Sequence, residues 1–103
     1  MDGNLRAVVN LDRTIHEPSR LVIVATLYFV ESADFLYLLR ETQMTRGNLS
    51  SHLAKLEDSG YVEIEKTYRG KIPQTICRLT KSGQAAFRHY RRSLRRAMDS
   101  MSE

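Results

Sequence analysis

At 103 residues, 42% of them hydrophobic, the chain has material for one packed domain and too little for two with separate cores. Its formal charge of +4 is concentrated: Arg88, Arg91, Arg92, Arg95 and Arg96 supply five positive charges with no acid between them, leaving −1 for everything else, so overall charge permits contact with a nucleic acid without requiring it. A lone cysteine, Cys77, excludes an internal disulfide and a metal site built from several thiolates, and residues 1–4 lack a basic segment leading into an apolar one, so a cytoplasmic location is expected.

Asn4 is placed to cap a first helix through about His16, whose apolar positions Leu5, Val8, Val9, Leu11 and Ile15 are only loosely periodic. Pro18 suits the first turn of a second helix, where its missing N–H has no partner to lose. From 21 to 30 that helix is apolar nearly all round, which predicts enclosure by neighbours; the stretch is well short of the roughly 20 residues that cross a bilayer. Ser32 is the expected N-cap of a third helix, with Asp34 in its first turn against the positive helix end and Phe35, Leu36, Leu38 and Leu39 on the buried side to about Glu41. Residues 42–44 make a turn, Thr45 caps a fourth helix to about Ser59, and Gly60 supplies the left-handed stop. Residues 61–65 then alternate as a half-buried strand, 68–73 form a hairpin turn, and 74–79 return as its partner, with Cys77 as a small apolar member. Thr80 caps a last helix over about 80–101, where Phe87, Tyr90, Leu94, Ala97 and Met101, spaced 3 or 4 apart, make one narrow seam.

The fourth helix carries the most specific pattern. At about 100° per residue, Leu49, Leu53 and Leu56 share one stripe, while Gly47, Asn48, Ser51, Ala54 and Lys55 lie opposite and Ser50 lies on the flank. So small, polar and basic a side fits a DNA major groove about 12 Å wide. Asn48 offers paired bonds to adenine, Ser50 and Ser51 reach base edges or phosphates, and Arg46 and Lys55 neutralise phosphates. The alternative is a merely solvated helix face, but here the acids Glu57 and Asp58 are confined to the C-terminal end. In the hairpin, Arg69 and Lys71 flank Gly70, which relieves the tight turn, so the cations reach flanking phosphates or the minor groove. Tyr68 either covers the sugar–phosphate backbone or caps the sheet. His52 sits beside the leucine stripe and is expected to bond locally, and no His/Asp/Glu cluster has ligand spacing, so no metal or cofactor is expected. Catalytic residues are not expected either: no nucleophile–base set or phosphate loop is present, and Glu63 and Glu65 read as outward strand charges.

The runs GNLSSHLAKLEDSGYVEIEK (47–66) and RLTKSGQAAF (78–87) resemble the winged-helix transcriptional regulators related to the MarR and ArsR groups, especially small stand-alone members without a ligand domain. HEPSRLVIVATL (16–27) is similar to their opening helix, so the likeness covers about 11–87. It implies a mostly α fold with a small β-hairpin, a winged helix-turn-helix, forming a single domain over 1–103 with its core at about 11–87. It also implies a homodimer on double-stranded operator DNA, with the helix at about 45–59 in the major groove and 68–73 as the wing; repression by occluding a promoter is the expected mode of action, although the residue order does not separate repression from activation. Thr45, Arg46, Gly47, Asn48, Ser50, Ser51 and Lys55, then Arg69, Gly70 and Lys71, are the expected DNA contacts. Two departures stand out: Gln43 occupies a turn position where many relatives have glycine, and the cysteine-rich metal box of the metal-sensing members is absent.

The seam Phe87, Tyr90, Leu94, Ala97 and Met101 either buries against the protein's own first two helices or pairs with a second copy; the second copy is expected, because some 20 residues at ~1.5 Å each outrun a body of this size. Two reading helices about 34 Å apart would then meet successive major grooves. The arginines from 88 to 96 read as the solvated outer face of that helix, with DNA phosphates or an acidic partner as alternatives. A small-molecule effector would have to occupy a cleft against the last helix, beside Tyr28, Tyr37 or Tyr90; the residue order names no such ligand. A domain that docks another protein through the same fold is the competing reading, and it predicts little salt-dependent affinity for DNA.

Overall fold

The computed structural model describes Arg6 and residues 8–101, and the Asn4 cap lies outside them. Residues 9–16 run through turns and not through the expected helix. The cause is local: the Asp12 carboxylate accepts the N–H groups of Thr14 (2.9 Å) and Ile15 (3.2 Å), a competitor to helical bonding. Leu11 and Ile15 are nonetheless buried and pin the segment to the core. Tyr61 donates to the other Asp12 oxygen at 2.5 Å, tying this segment to the start of the hairpin; that bond and burial together push the Tyr61 hydroxyl up to about 12.

Helix α1 (Pro18–Val30) starts as expected, with proline in its first turn and the Glu17 carboxylate accepting the N–H groups of Ser19 and Arg20. Its enclosure is partial. Ile23, Val24 and Leu27 are buried, whereas Val22 and Phe29, one helical face apart from them, are 46% and 72% exposed.

Ser32 does not cap the next helix. Ser32–Asp34 is a short strand, β1, and Asp34 is the cap of α2 (Phe35–Thr42), accepting the Tyr37 N–H at 2.7 Å. Gln43 then takes the left-handed conformation (φ 57°), so the turn keeps a backbone that glycine adopts more cheaply. Thr45 caps α3 (Arg46–Asp58) by accepting the Asn48 N–H at 3.1 Å, as the sequence predicts. The far end closes at Gly60 (φ 81°), whose N–H bonds to Glu57 O while Tyr61 N–H bonds to Leu56 O. This pair of bonds is a Schellman motif, which requires the left-handed residue that Gly60 provides.

Strands β2 (Val62–Arg69) and β3 (Ile72–Leu79) are longer, and their turn shorter, than the sequence suggests: Arg69 pairs with Ile72 across a two-residue loop, Gly70–Lys71. With β1 they form an antiparallel sheet in the order β1-β3-β2. Pro73 lies on the central strand beyond the reach of β1, which pairs only with 76–78, so its missing N–H breaks no ladder. Val62, Cys77 and Leu79 face the core; burial pushes the Cys77 thiol up to about 11, which makes it an inert packing residue.

Thr80 caps α4 (Lys81–Ser100), accepting the Gly83 N–H at 2.9 Å. The seam on α4 divides. Phe87, Tyr90 and Ala97 are buried within this chain, Phe87 against the Tyr28 ring (5.0 Å) and Tyr90 with its hydroxyl 2.7 Å from His16 Nδ1. They are therefore not a free seam for a second copy. Leu94 is half-buried and Met101 is 58% exposed.

Candidate nucleic-acid interface

The leucine stripe of α3 is fully internal, with Leu49, Leu53 and Leu56 at 0%, 2% and 0% exposure. Its orientation fixes everything opposite: Thr45, Arg46, Gly47, Asn48, Ser50, Ser51, Ala54 and Lys55 are all exposed, and the helix has no acid in its first turn. The positive end of the helix and the Arg46 guanidinium thus present one electropositive entrance. Thr45 spends its hydroxyl on the cap, so its part is to hold the helix start.

A second set of bonds fixes the roll of α3 on the body. His52 Nδ1 lies 3.2 Å from the Arg20 guanidinium and 3.5 Å from the Glu17 carboxylate, and Arg20 Nε donates to Thr14 O at 2.6 Å. Local bonding by His52, as read from the sequence, is what the structure holds. Partial burial raises the Glu17 pKa, but the two backbone N–H bonds and the His52 and Arg20 charges outweigh it and hold the carboxyl below its ordinary range.

The wing stands beside α3. Arg69, Gly70 and Lys71 are exposed at its tip, flanked by Tyr68 and Ile72 at 70% and 69% exposure, so Tyr68 does not cap the sheet. Strand alternation puts Val62, Ile64, Lys66 and Tyr68 on the face turned toward α3. A cleft of about 740 Å³ runs between that face and the helix, with Arg46, Ser50 and Ala54 on one wall and Lys66 and Thr75 on the other. Glu57 lies along it as well, offsetting one of the two cations, Arg46 and Lys66. An adjoining hollow of about 430 Å³ shares Arg46 and reaches Arg69 at the wing.

Lys66 and Thr75 escape sequence reasoning, because a lysine in an alternating strand looks like solvated charge. Only the β2–β3 register and the α3 packing turn it into the cleft; period-2 counting from Val62 was the available signal. On the other face Arg78 takes both strand carboxylates, Glu63 at 2.8 Å and Glu65 at 3.1 Å, which offsets one of their two negative charges. Among the described residues no group of His, Cys, Asp and Glu is placed to hold a metal ion, and no helix is long and apolar enough to cross a membrane.

Residues 19–98 match the family described as winged helix DNA-binding domain. An uncharacterized protein of Methanocaldococcus jannaschii is 42% identical over 72 residues, 69% of this chain and 77% of that protein. Among solved structures, a transcriptional regulator homologue protein from Pyrococcus horikoshii OT3 superposes over 99% of this chain and 100% of its own, with TM-score 0.89 and 25% identity. A MarR-family regulator from Enterococcus faecalis V583 shares the fold over 98% of this chain and 89% of its own, at TM-score 0.73 and 22% identity.

Proposed function

Since the chain belongs to the winged helix DNA-binding domain family, we propose that it is a sequence-specific regulator that grips duplex DNA as a homodimer and represses by occluding a promoter. One observation carries the reading: the small, polar, basic side of α3 is free along its whole length, opposite three buried leucines and next to a basic wing tip. In this reading Asn48, Ser50 and Ser51 meet base edges, Lys55 a phosphate, and Gly47 lets the duplex approach the helix start. Arg46 and Lys66 hold the strand that passes through the cleft between helix and wing, while Arg69 and Lys71 hold the next stretch beyond Gly70.

The dimer rests on shape and on exposed apolar surface. The Cα radius of gyration is 15.5 Å, above the ~13 Å of a compact domain of about 100 residues. Val22 and Phe29 of α1 and Met101 at the end of α4 stand exposed, with Leu94 half-covered. A two-fold pairing that covers them is the expected assembly, and it replaces the Phe87–Tyr90 part of the seam with surface on α1.

Selection of bound fragments from a random duplex pool, followed by anisotropy titrations on the selected sequence, tests the proposal. Asn48→Ala is expected to cost about 1–3 kcal/mol on the selected site and to relax its sequence preference. Lys55→Ala should weaken all duplexes alike. A selection that yields no shared sequence would refute sequence specificity, and an affinity indifferent to salt would instead favour a protein partner on this face.

A further inference from the structure

The DNA-facing side uses none of the α4 arginines. Four of them, Arg88, Arg91, Arg92 and Arg95, line a hollow of about 210 Å³ together with Tyr28 of α1, and this hollow shares no residue with the clefts beside α3. At about 100° and 1.5 Å per residue, the four lie within an arc of about 100° and about 10 Å of helix length. The pairs 88–91, 88–92, 91–95 and 92–95 are all at the i,i+3 or i,i+4 spacing where like charges repel. Among the described residues none of the four has an ion-pair partner, Asp99 one turn further on included. Part of the wall is nevertheless ordered by packing: the Arg91 guanidinium sits 5.7 Å over the Phe87 ring, which itself lies 5.0 Å from Tyr28.

Four guanidiniums that repel one another around a concavity are compensated best by one ligand that carries several negative charges. A single carboxylate would leave most of them uncompensated. Guanidinium forks match phosphate oxygens in pairs, and they remain charged at any physiological pH. The hollow, about 210 Å³ and open to solvent, is of a size that suits one compact anion.

We propose that the Tyr28, Arg88, Arg91, Arg92 and Arg95 hollow is a binding site for a small, multiply charged phosphate-bearing anion, such as a diphosphate group, distinct from the DNA-contacting face. The site does not depend on the DNA reading, and either can fail alone.

The test uses the full chain with inorganic pyrophosphate as probe, by calorimetric titration and by thermal unfolding at ionic strength matched with sodium chloride. Saturable binding and a raised unfolding midpoint are expected. Arg88→Gln with Arg92→Gln should weaken binding at least tenfold, and Arg92→Lys, which keeps the charge but not the fork, should fall between. Both substitutions are on exposed helix surface, and relief of the mutual repulsion should leave the unliganded double variant no less stable than the parent. Arg46→Ala with Lys55→Ala should bind pyrophosphate as the parent does. No saturable binding, equal affinity in the Arg88/Arg92 variant, or loss in the Arg46/Lys55 variant would each overturn the proposal, the last by moving the anion to α3.

Discussion

Gly83→Ala should destabilise the protein although Gly83 sits inside a helix, where alanine is ordinarily the better residue. The gain expected from propensity is about 0.5–1 kcal/mol. Against it, a Cβ on Gly83 would lie 2.1 Å from the Tyr61 carbonyl oxygen and 2.9 Å from its carbon, both backbone atoms. Reaching an ordinary contact of 3.4 Å requires a displacement of about 1.3 Å at a junction with little slack. The same carbonyl accepts the Thr80 N–H at 3.0 Å, and the Thr80 hydroxyl both caps Gly83 N–H and bonds to Gly60 O. Overpacking of this kind costs roughly 1–3 kcal/mol, and breaking a backbone hydrogen bond about 0.5–1.5 more. The net effect should be a loss of about 0.5–4 kcal/mol, read by urea unfolding with unchanged m-value. Gly47→Ala is the control, since a Cβ there meets nothing within 4 Å and should be neutral or slightly stabilising. A Gly83→Ala protein as stable as the parent would refute the close approach of α4 to Tyr61.

If the cleft between α3 and the wing carries the DNA backbone, Lys66→Gln should reduce the slope of log affinity against log salt by about 0.9 for each phosphate that is no longer neutralised, equally on cognate and random duplexes; an unchanged slope would remove Lys66 from the interface. Glu17→Gln should lower stability at neutral pH by about 1 kcal/mol through the weakened α1 cap. Because the folded-state pKa of Glu17 lies below its ordinary value of 4.5, the parent's advantage is complete above that pH and is lost as pH falls through the depressed value. Denaturation curves of the two proteins should converge there, and a gap that persists at the acid end would contradict the assignment.

Much of the candidate interface was legible in the residue order because its signals are local. A threonine before a helix, leucines on one stripe and a glycine after the last turn act within one or two turns, and Thr45, Leu49, Leu53, Leu56 and Gly60 all take the places so predicted. The spacing that exposes Asn48, Ser51 and Lys55 follows from that stripe alone. What the tertiary structure decided depends on partners distant in sequence. Ser32–Asp34 has no periodicity of its own and becomes a strand only because residues 76–78 offer it an edge, which moves the helix cap from Ser32 to Asp34. Phe87 and Tyr90 read as part of a seam for a second copy until Tyr28 and His16 arrive from the other end of the chain to cover them. Gly83 reads as a helix-weakening residue until the Tyr61 carbonyl occupies the space a side chain would need. Caps and periods are set by neighbours along the backbone, whereas burial and close approach depend on which surfaces the folded chain brings together, and that information is not contained in any one segment.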